Sequence, residues 1–309
     1  IRMNYPLIGA AAYSGMMCWH GGLSGSAPLT VSGFDHFLTD SIGSIGIEQT
    51  LLSPMNLTAV VVLLIVIPAF FYFLGNRGTD KHITIDFPKQ LSLPQEKATG
   101  AERLDHAKWI AIVLGLLICF LSVRQIIISP KGGGLNFIDL NFINFFLFGL
   151  GILLHGSVAR YLVAIQEAIG GATGIIIQFP LYAGIMGIMN YSGLGAKVSL
   201  AIVTLANAET LPIFTFFSAA LVNVFVPSGG GQWVIQGPII ADAAFALGVN
   251  LPKNIMALAY GDQLTNMLQP FWALPLLGIT RLKARDILPY STLVMLVGMT
   301  IFIVLLTTF

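Results

Sequence analysis

The stretch FVPSGGGQWVIQGPII, residues 225–240, interrupts a long apolar region with a proline, a serine and three consecutive glycines. Proline ends a helix, and glycine adopts backbone angles that other residues rarely take. We therefore predict a re-entrant hairpin with apolar arms at 198–226 and 234–247 and a new helix that starts near Gln232. A plain interhelical loop is the alternative interpretation.

The N-terminus of this predicted helix is a candidate substrate site. Its free N–H groups and the positive end of its dipole favour an anion such as a carboxylate. The hydroxyl of Ser228 and the side-chain amide of Gln232 can add hydrogen bonds to that anion. The candidate substrate-binding residues of the hairpin are Ser228, Gly229, Gly230, Gly231, Gln232 and Trp233.

The composition on either side of the hairpin is that of a membrane protein. Of 309 residues, 56% are hydrophobic and 9% are charged, whereas an average soluble domain has about 25% charged residues. A net charge of +1 argues against nucleic-acid binding, which needs clustered Lys and Arg. We predict an all-α, polytopic transmembrane bundle that forms one domain over 1–309. The predicted spans are the apolar runs 7–29, 55–74, 109–128, 138–154, 175–189, 198–226, 234–247, 255–279 and 287–307.

The charges in the loops predict a topology. The polar stretch 76–108 holds six Lys or Arg residues, and we predict that it is a cytoplasmic loop because positive residues concentrate on that side. The acidic stretch 33–54 then lies outside, and the turn RLKAR at 281–285 lies inside. We interpret 157–170 as an amphipathic helix in the membrane interface, with a simple cytoplasmic connection as the alternative.

Two further apolar segments contain polar, glycine-rich sequence, at 20–28 (HGGLSGSAP) and 261–270 (GDQLTNMLQP). Irregular backbone inside a membrane must be buried in protein or line a cavity. The dipeptides Ala-Tyr and Pro-Leu occur with the same separation in both apolar segments, at 12–13 and 28–29 in the first and at 259–260 and 275–276 in the second. The predicted topology gives the two segments opposite orientations. We therefore predict an inverted repeat with broken helices, as in secondary transporters. Close helix packing by small residues is the alternative reason for this composition.

Side chains in these two breaks complete the candidate site. Freed carbonyls and hydroxyls suit Na⁺ coordination, and a carboxylate at mid-helix, which costs about 2.5 to 3.5 kcal/mol on insertion scales, usually serves ions or protons. Asp262 could instead make a polar contact to another helix, and His20 is either a proton carrier or a satisfied buried histidine. The substrate-side candidates are His20, Ser24, Gly25 and Ser26, and the ion-coupling candidates are Asp262, Gln263, Thr265, Asn266 and Glu209.

The sequence argues against an enzyme, because it has no nucleophile elbow, Walker loop, HExxH or CxxC pattern. His20 with Ser24 one turn away is a weak signal for a hydrolase. Cys18 and Cys119 form neither metal-ligand spacing nor a disulfide framework. We predict no metal site and no cofactor, with Na⁺ or H⁺ as the coupling ion.

The motifs YSGMMCWHGGLSGSAPL (13–29), FVPSGGGQWVIQGPII (225–240) and YGDQLTNMLQPFWALP (260–275) resemble the short-chain fatty acid transporter family, and the likeness covers essentially the whole chain. The resemblance implies uptake of monocarboxylates such as butyrate or acetoacetate, coupled to a cation gradient across the bacterial inner membrane. This family is similar in hydropathy to the ion transporter superfamily, whose re-entrant hairpins and frequent dimers imply the same here. Family members are longer at the N-terminus, so we expect this chain to lack their first helices. A dicarboxylate or other carboxylate carrier and a non-transporting channel or sensor subunit remain open as alternatives.

Overall fold

The computed structural model describes residues 4–77, 99–128, 140–269 and 271–309, and within these ranges it contains helices and 3₁₀ turns but no strand. Most of the predicted cytoplasmic loop 76–108 lies outside the described residues. The helices are α1 (Tyr5–Tyr13), α2 (Ser26–Ser32), α3 (Thr39–Ile42), α4 (Pro54–Arg77), α5 (Glu102–Asp105), α6 (Lys108–Ile128), α7 (Leu140–His155), α8 (Val158–Tyr191), α9 (Leu194–Val203), α10 (Leu211–Asn223), α11 (Gly229–Leu247), α12 (Leu251–Thr265), α13 (Leu274–Thr280) and α14 (Ala284–Thr308), with 3₁₀ turns at Ser14–Cys18 and Asn266–Leu268.

The chain divides into two compact units, one formed by 1–84 and 174–309 and the other by 85–173. In the smaller unit α6 packs closely on α7, because glycines face the neighbouring helix. A Cβ atom on Gly115 would lie 2.8 Å from the Cβ of Leu153, and one on Gly149 would lie 2.7 Å from Cγ2 of Ile118. The single transmembrane domain predicted over 1–309 stays a prediction.

Two described helices are long and apolar enough to cross a membrane, Pro54–Asn76 and Ala284–Thr308. The pair Phe142–His155 and Val158–Gly170 passes the same test together, although its two parts are bent by 117°. The described part of the chain therefore has two such spans, or three with the bent pair, where the sequence predicts nine. Several predicted spans are divided into shorter helices, which lowers the count.

The structure differs from the sequence prediction in two segments. The arm predicted over 198–226 contains two helices, α9 with 10 residues and α10 with 13, separated by a turn at 204–210. The amphipathic helix predicted over 157–170 is the beginning of α8, which is 34 residues long in total and has Pro180 inside it. The missing N–H of one proline removes one helix hydrogen bond, and this does not end α8.

The larger unit has its main core around α12 and α14. Tyr260 stacks on Phe302 with ring centroids 4.5 Å apart, and both side chains are buried. A Cβ atom on Gly298 of α14 would collide with the terminal methyl of Met17, so the first 3₁₀ turn lies directly against α14. This packing holds the two broken segments beside each other.

Candidate substrate and cation site

The two predicted broken segments have the same order of elements. Each consists of a helix, a 3₁₀ turn, an irregular break and a second helix of seven residues, α2 or α13. Helix α1 packs against α13 and α2 packs against α12. Between these contacts the hydroxyl of Tyr13 lies 2.7 Å from the carbonyl oxygen of Asn266 and 2.9 Å from that of Gln269. The two segments therefore run antiparallel and their breaks meet.

His20 is fixed in the first break by three contacts. Its backbone N–H donates to Oε1 of Gln263 at 3.0 Å, and its ring Nε2 accepts from the backbone N–H of Ala27 at 3.1 Å. The indole of Trp19 stacks on the ring with centroids 4.4 Å apart. A Cβ atom on Gly25 would collide with the carbonyl oxygen of His20, so glycine is required at that position.

The hydrogen bond to Nε2 defines the tautomer of His20. A nitrogen that accepts a hydrogen bond carries a lone pair, so the proton of the neutral ring is on Nδ1. The ring thereby accepts a hydrogen bond from an N-terminal N–H of α2 that has no partner within the helix. At Nε2, His20 is therefore the satisfied buried histidine that was one of the two sequence-based alternatives. Its Nδ1 has no hydrogen-bond partner among the described residues.

Asp262 is the buried carboxylate opposite His20. Its Oδ2 lies 3.7 Å from Nδ1 of His20, and only 1% of the residue is exposed. Neither Oδ1 nor Oδ2 has a hydrogen-bond partner among the residues that the structure describes. A buried charge without partners is costly, so this carboxylate is the strongest candidate for a group that takes up a ligand.

The hairpin tip lies against this pair. Helix α11 begins at Gly229, somewhat earlier than predicted, and the side chain of Ser228 caps it by accepting from the N–H of Gly231 at 3.3 Å. The N–H groups of Gly229 and Gly230 have no partner within the helix. A Cβ atom on Gly229 would lie 2.7 Å from Cε1 of His20 and 3.2 Å from Oδ2 of Asp262. The free end of α11, His20 and Asp262 are therefore neighbours.

Asn223 holds the second break and was not identified from the sequence. Its side-chain NH₂ lies 2.8 Å from the carbonyl oxygen of Asp262, 3.0 Å from Oγ1 of Thr265 and 3.0 Å from Oδ1 of Asn266. The hydroxyl of Thr265 also donates to the carbonyl of Ala220. The oxygens of Thr265 and Asn266 proposed as ion ligands are thus engaged within the protein.

Gln232 belongs to a buried polar network of α9, α10 and α11. Its side-chain NH₂ donates to the carbonyl of Ala219 and to Oε1 of Gln236, both at 2.8 Å. The NH₂ of Gln236 lies 2.9 Å from the hydroxyl of Ser218 and 3.2 Å from that of Ser199. Gln232 therefore connects the tip to the bundle, and no described residue bonds to its Oε1.

The remaining candidates occupy different positions. Ser26 is half-buried at the start of α2, where its Cβ would be 3.9 Å from a Cβ atom on Gly230. Ser24 is exposed, and its hydroxyl donates to the carbonyl of Trp19. Glu209 is exposed in the turn before α10, whereas Asp262 is buried. Trp233 is fully buried, and its indole N–H has no hydrogen-bond partner in the described ranges.

Comparison with known proteins decides the family. The family described as "Short chain fatty acid transporter" matches residues 2–309. The chain belongs to the short-chain fatty acid transporter family. Proteins named "Putative short-chain fatty acid transporter" are 40% identical in Escherichia coli, over 99% of this chain and 70% of that protein, and 38% identical in Haemophilus influenzae, over 97% and 69%.

A more distant relative is similar over part of the chain. The Escherichia coli protein named "Putative basic amino acid antiporter YfcC" is 29% identical over 41% of this chain and 25% of that protein. No solved structure gives a significant match. Membership of the short-chain fatty acid transporter family, together with the apolar helices, makes this chain a membrane protein of a family of small-molecule transporters.

Proposed function

We propose that this protein is a secondary active transporter of the bacterial inner membrane that takes up short-chain fatty acids of the butyrate and acetoacetate class with a cation. The observation that carries the proposal is the contact between the free N-terminus of α11 and the buried carboxylate of Asp262. The first feature favours an anion and the second favours a cation. Adjacent anion and cation sites allow binding of one ligand to affect the affinity for the other.

The antiparallel contact of the two broken segments supports an inverted repeat. The segments 5–32 and 251–280 have the same element order, and His20 of the first break lies beside Asp262 of α12. In secondary transporters, inverted repeats place the substrate near the membrane midplane at the repeat interface. The family resemblance further implies a homodimer, which the mass of the protein in nanodiscs would test.

Uptake of radiolabelled butyrate into proteoliposomes that contain the full-length protein tests the proposal. An inward Na⁺ gradient is imposed in one series and an inward H⁺ gradient in another. Saturable uptake stimulated by either gradient supports the proposal and identifies the coupling ion. Uptake that neither gradient stimulates would contradict it and would favour a channel or sensor subunit.

Substitution at the hairpin tip tests the position of the site. We expect Ser228→Ala combined with Gln232→Ala to raise the apparent KM for butyrate, because the first change removes the cap of α11 and the second releases the tip from Ala219 and Gln236. Unchanged uptake by this variant would contradict the assignment. Succinate is included as a competitor, since stronger competition by succinate than by acetoacetate would show a dicarboxylate carrier.

A further inference from the structure

The free N-terminus of α11 and the carboxylate of Asp262 lie next to each other, and this arrangement bears on the order in which ligands bind. The N–H groups of Gly229 and Gly230 are available to an anion, and Oδ2 of Asp262 is the carboxyl oxygen that a Cβ on Gly229 would contact at 3.2 Å. No hydrogen bond joins the carboxylate to the helix end. The two groups are adjacent, and within the described part of the chain no hydrogen bond engages the two N–H groups.

Among the residues that the structure describes, no Lys or Arg pairs with Asp262, and the positive end of the α11 dipole is the favourable group beside it. His20 accepts a hydrogen bond at Nε2 from Ala27, so its ring cannot become doubly protonated without breaking that bond. The sequences of α2 and α10, which pack near α12, contain no charged residue, and the one charged residue of α11, Asp242, is acidic and exposed. Helix α14 also packs against α12, and its ionisable residues Arg285, Asp286 and Tyr290 all lie in its first two turns.

The carboxylate of a substrate at the end of α11 would therefore compete with a second carboxylate for the same helix end, and no described Lys or Arg pairs with that second carboxylate. A like charge within about 4–6 Å disfavours ionisation and ion binding by roughly tenfold or more. We propose that Asp262 acts as a gate for the anion site: the substrate carboxylate binds at Gly229 and Gly230 only after a cation has bound to Asp262. This inference rests on the proposed function and specifies the order in which the two ligands bind.

The gate also explains coupling without a large structural change. With the cation bound, the N–H groups of Gly229 and Gly230 face a neutral site and donate hydrogen bonds to the substrate carboxylate. Without the cation, the site repels the substrate carboxylate, so the substrate does not enter alone. A ligand changes the affinity for a second ligand only through such a differential free energy, and the effect is reciprocal.

The test measures the affinity for butyrate of the full-length protein in nanodiscs, by binding of radiolabelled butyrate, for the parent and for Asp262→Asn. The four conditions are pH 8 and pH 6, each with and without Na⁺. For the parent we expect at least a roughly tenfold increase in affinity on adding Na⁺ at pH 8, if Na⁺ is the cation, or on lowering the pH without Na⁺, if it is H⁺. Asp262→Asn is expected to bind with the higher affinity under all four conditions.

The matched control is Asp242→Asn, which removes an exposed acidic side chain from α11 itself. We expect it to show the same cation dependence as the parent. In proteoliposomes, Asp262→Asn is expected to exchange internal for external butyrate but to lose concentrative uptake. If the butyrate affinity of Asp262→Asn still depends on the cation, the gate is overturned. The same holds if Asp262→Asn folds and does not bind butyrate.

The parent protein also tests the proposal without any variant, which matters if Asp262→Asn does not fold. Butyrate affinity of the parent that is equal under all four conditions overturns the gate but leaves uptake of short-chain fatty acids intact. No saturable butyrate binding by the parent under any condition overturns the proposed function and the gate together.

Discussion

Replacing Gly261 with alanine tests whether close contact of α10 and α12 positions the buried carboxylate. A Cβ atom at this position would collide with the carbonyl oxygen of Phe216 and would lie 2.8 Å from the Cβ of Ala219 and 3.0 Å from the backbone nitrogen of Ala220. None of these atoms is the end of a flexible side chain, so the helices themselves must move apart. Overpacking of this kind costs about 1–3 kcal/mol.

We expect Gly261→Ala to lower the thermal unfolding midpoint of the detergent-solubilised protein and to reduce butyrate uptake, because Asp262 is the next residue and moves with the backbone. The assay is size-exclusion chromatography of a fluorescent fusion after heating. The control is Gly15→Ala, since no atom lies within 4 Å of a Cβ at Gly15. A Gly261→Ala protein as stable as the Gly15→Ala protein would refute the argument that this contact determines the helix separation.

Three other substitutions test the polar contacts of the site. Asn223→Ala is expected to lower stability by about 1–3 kcal/mol, because buried groups lose their partners, and a heated-sample assay with unchanged aggregation would contradict this. His20→Ala is expected to lower stability by a similar amount through loss of the hydrogen bond to α2, whereas His106→Ala, at an exposed position, should stay within about 0.5 kcal/mol of the parent. Ser228→Ala removes a helix cap and should cost about 0.5–2 kcal/mol, whereas Ser24→Ala, also at an exposed position, should be nearly neutral; equal midpoints for the two serine variants would show that the cap does not contribute.

The hairpin tip was predictable because its signals are local. Pro227 and the glycines indicate a break, and a serine before a helix is a common cap. The start of α11 at Gly229 rather than near Gln232 follows from the cap, since the side chain of Ser228 bonds to the N–H of Gly231. Three glycines have low helix propensity, and the capped first turn nevertheless includes them.

The division of 198–226 into two helices also had a local signal. Oδ1 of Asn207 accepts from the backbone N–H groups of Glu209 and Thr210, each at 3.0 Å, which is a turn that asparagine commonly forms. Pro212 then occupies the first turn of α10, where proline is favoured. The apolar composition on both sides outweighed these residues in the prediction, and Glu209 was assigned to a helix for the same reason.

The partners of the buried amides were not predictable from the sequence. Asn223 and Gln236 are single uncharged polar residues in apolar runs, and nothing in their local sequence indicates which group they bond. Asn223 bonds to atoms of 262–266, about 40 positions further along the chain. Such contacts depend on which helices become neighbours, and hydrophobic periodicity does not specify this.

The network of Gln232, Gln236, Ser218 and Ser199 constrains how the protein can move. These four side chains join α9, α10 and α11 through hydrogen bonds that are all buried. Separating the helices in a membrane would leave several polar groups without partners and without water, at a cost of several kcal/mol for each group. The three helices therefore form one rigid block, and any alternating-access motion must carry α9 along with the hairpin tip. Spin labels on α9 and α11 should keep a constant separation when butyrate and the cation are added, even if both helices change their position in the membrane.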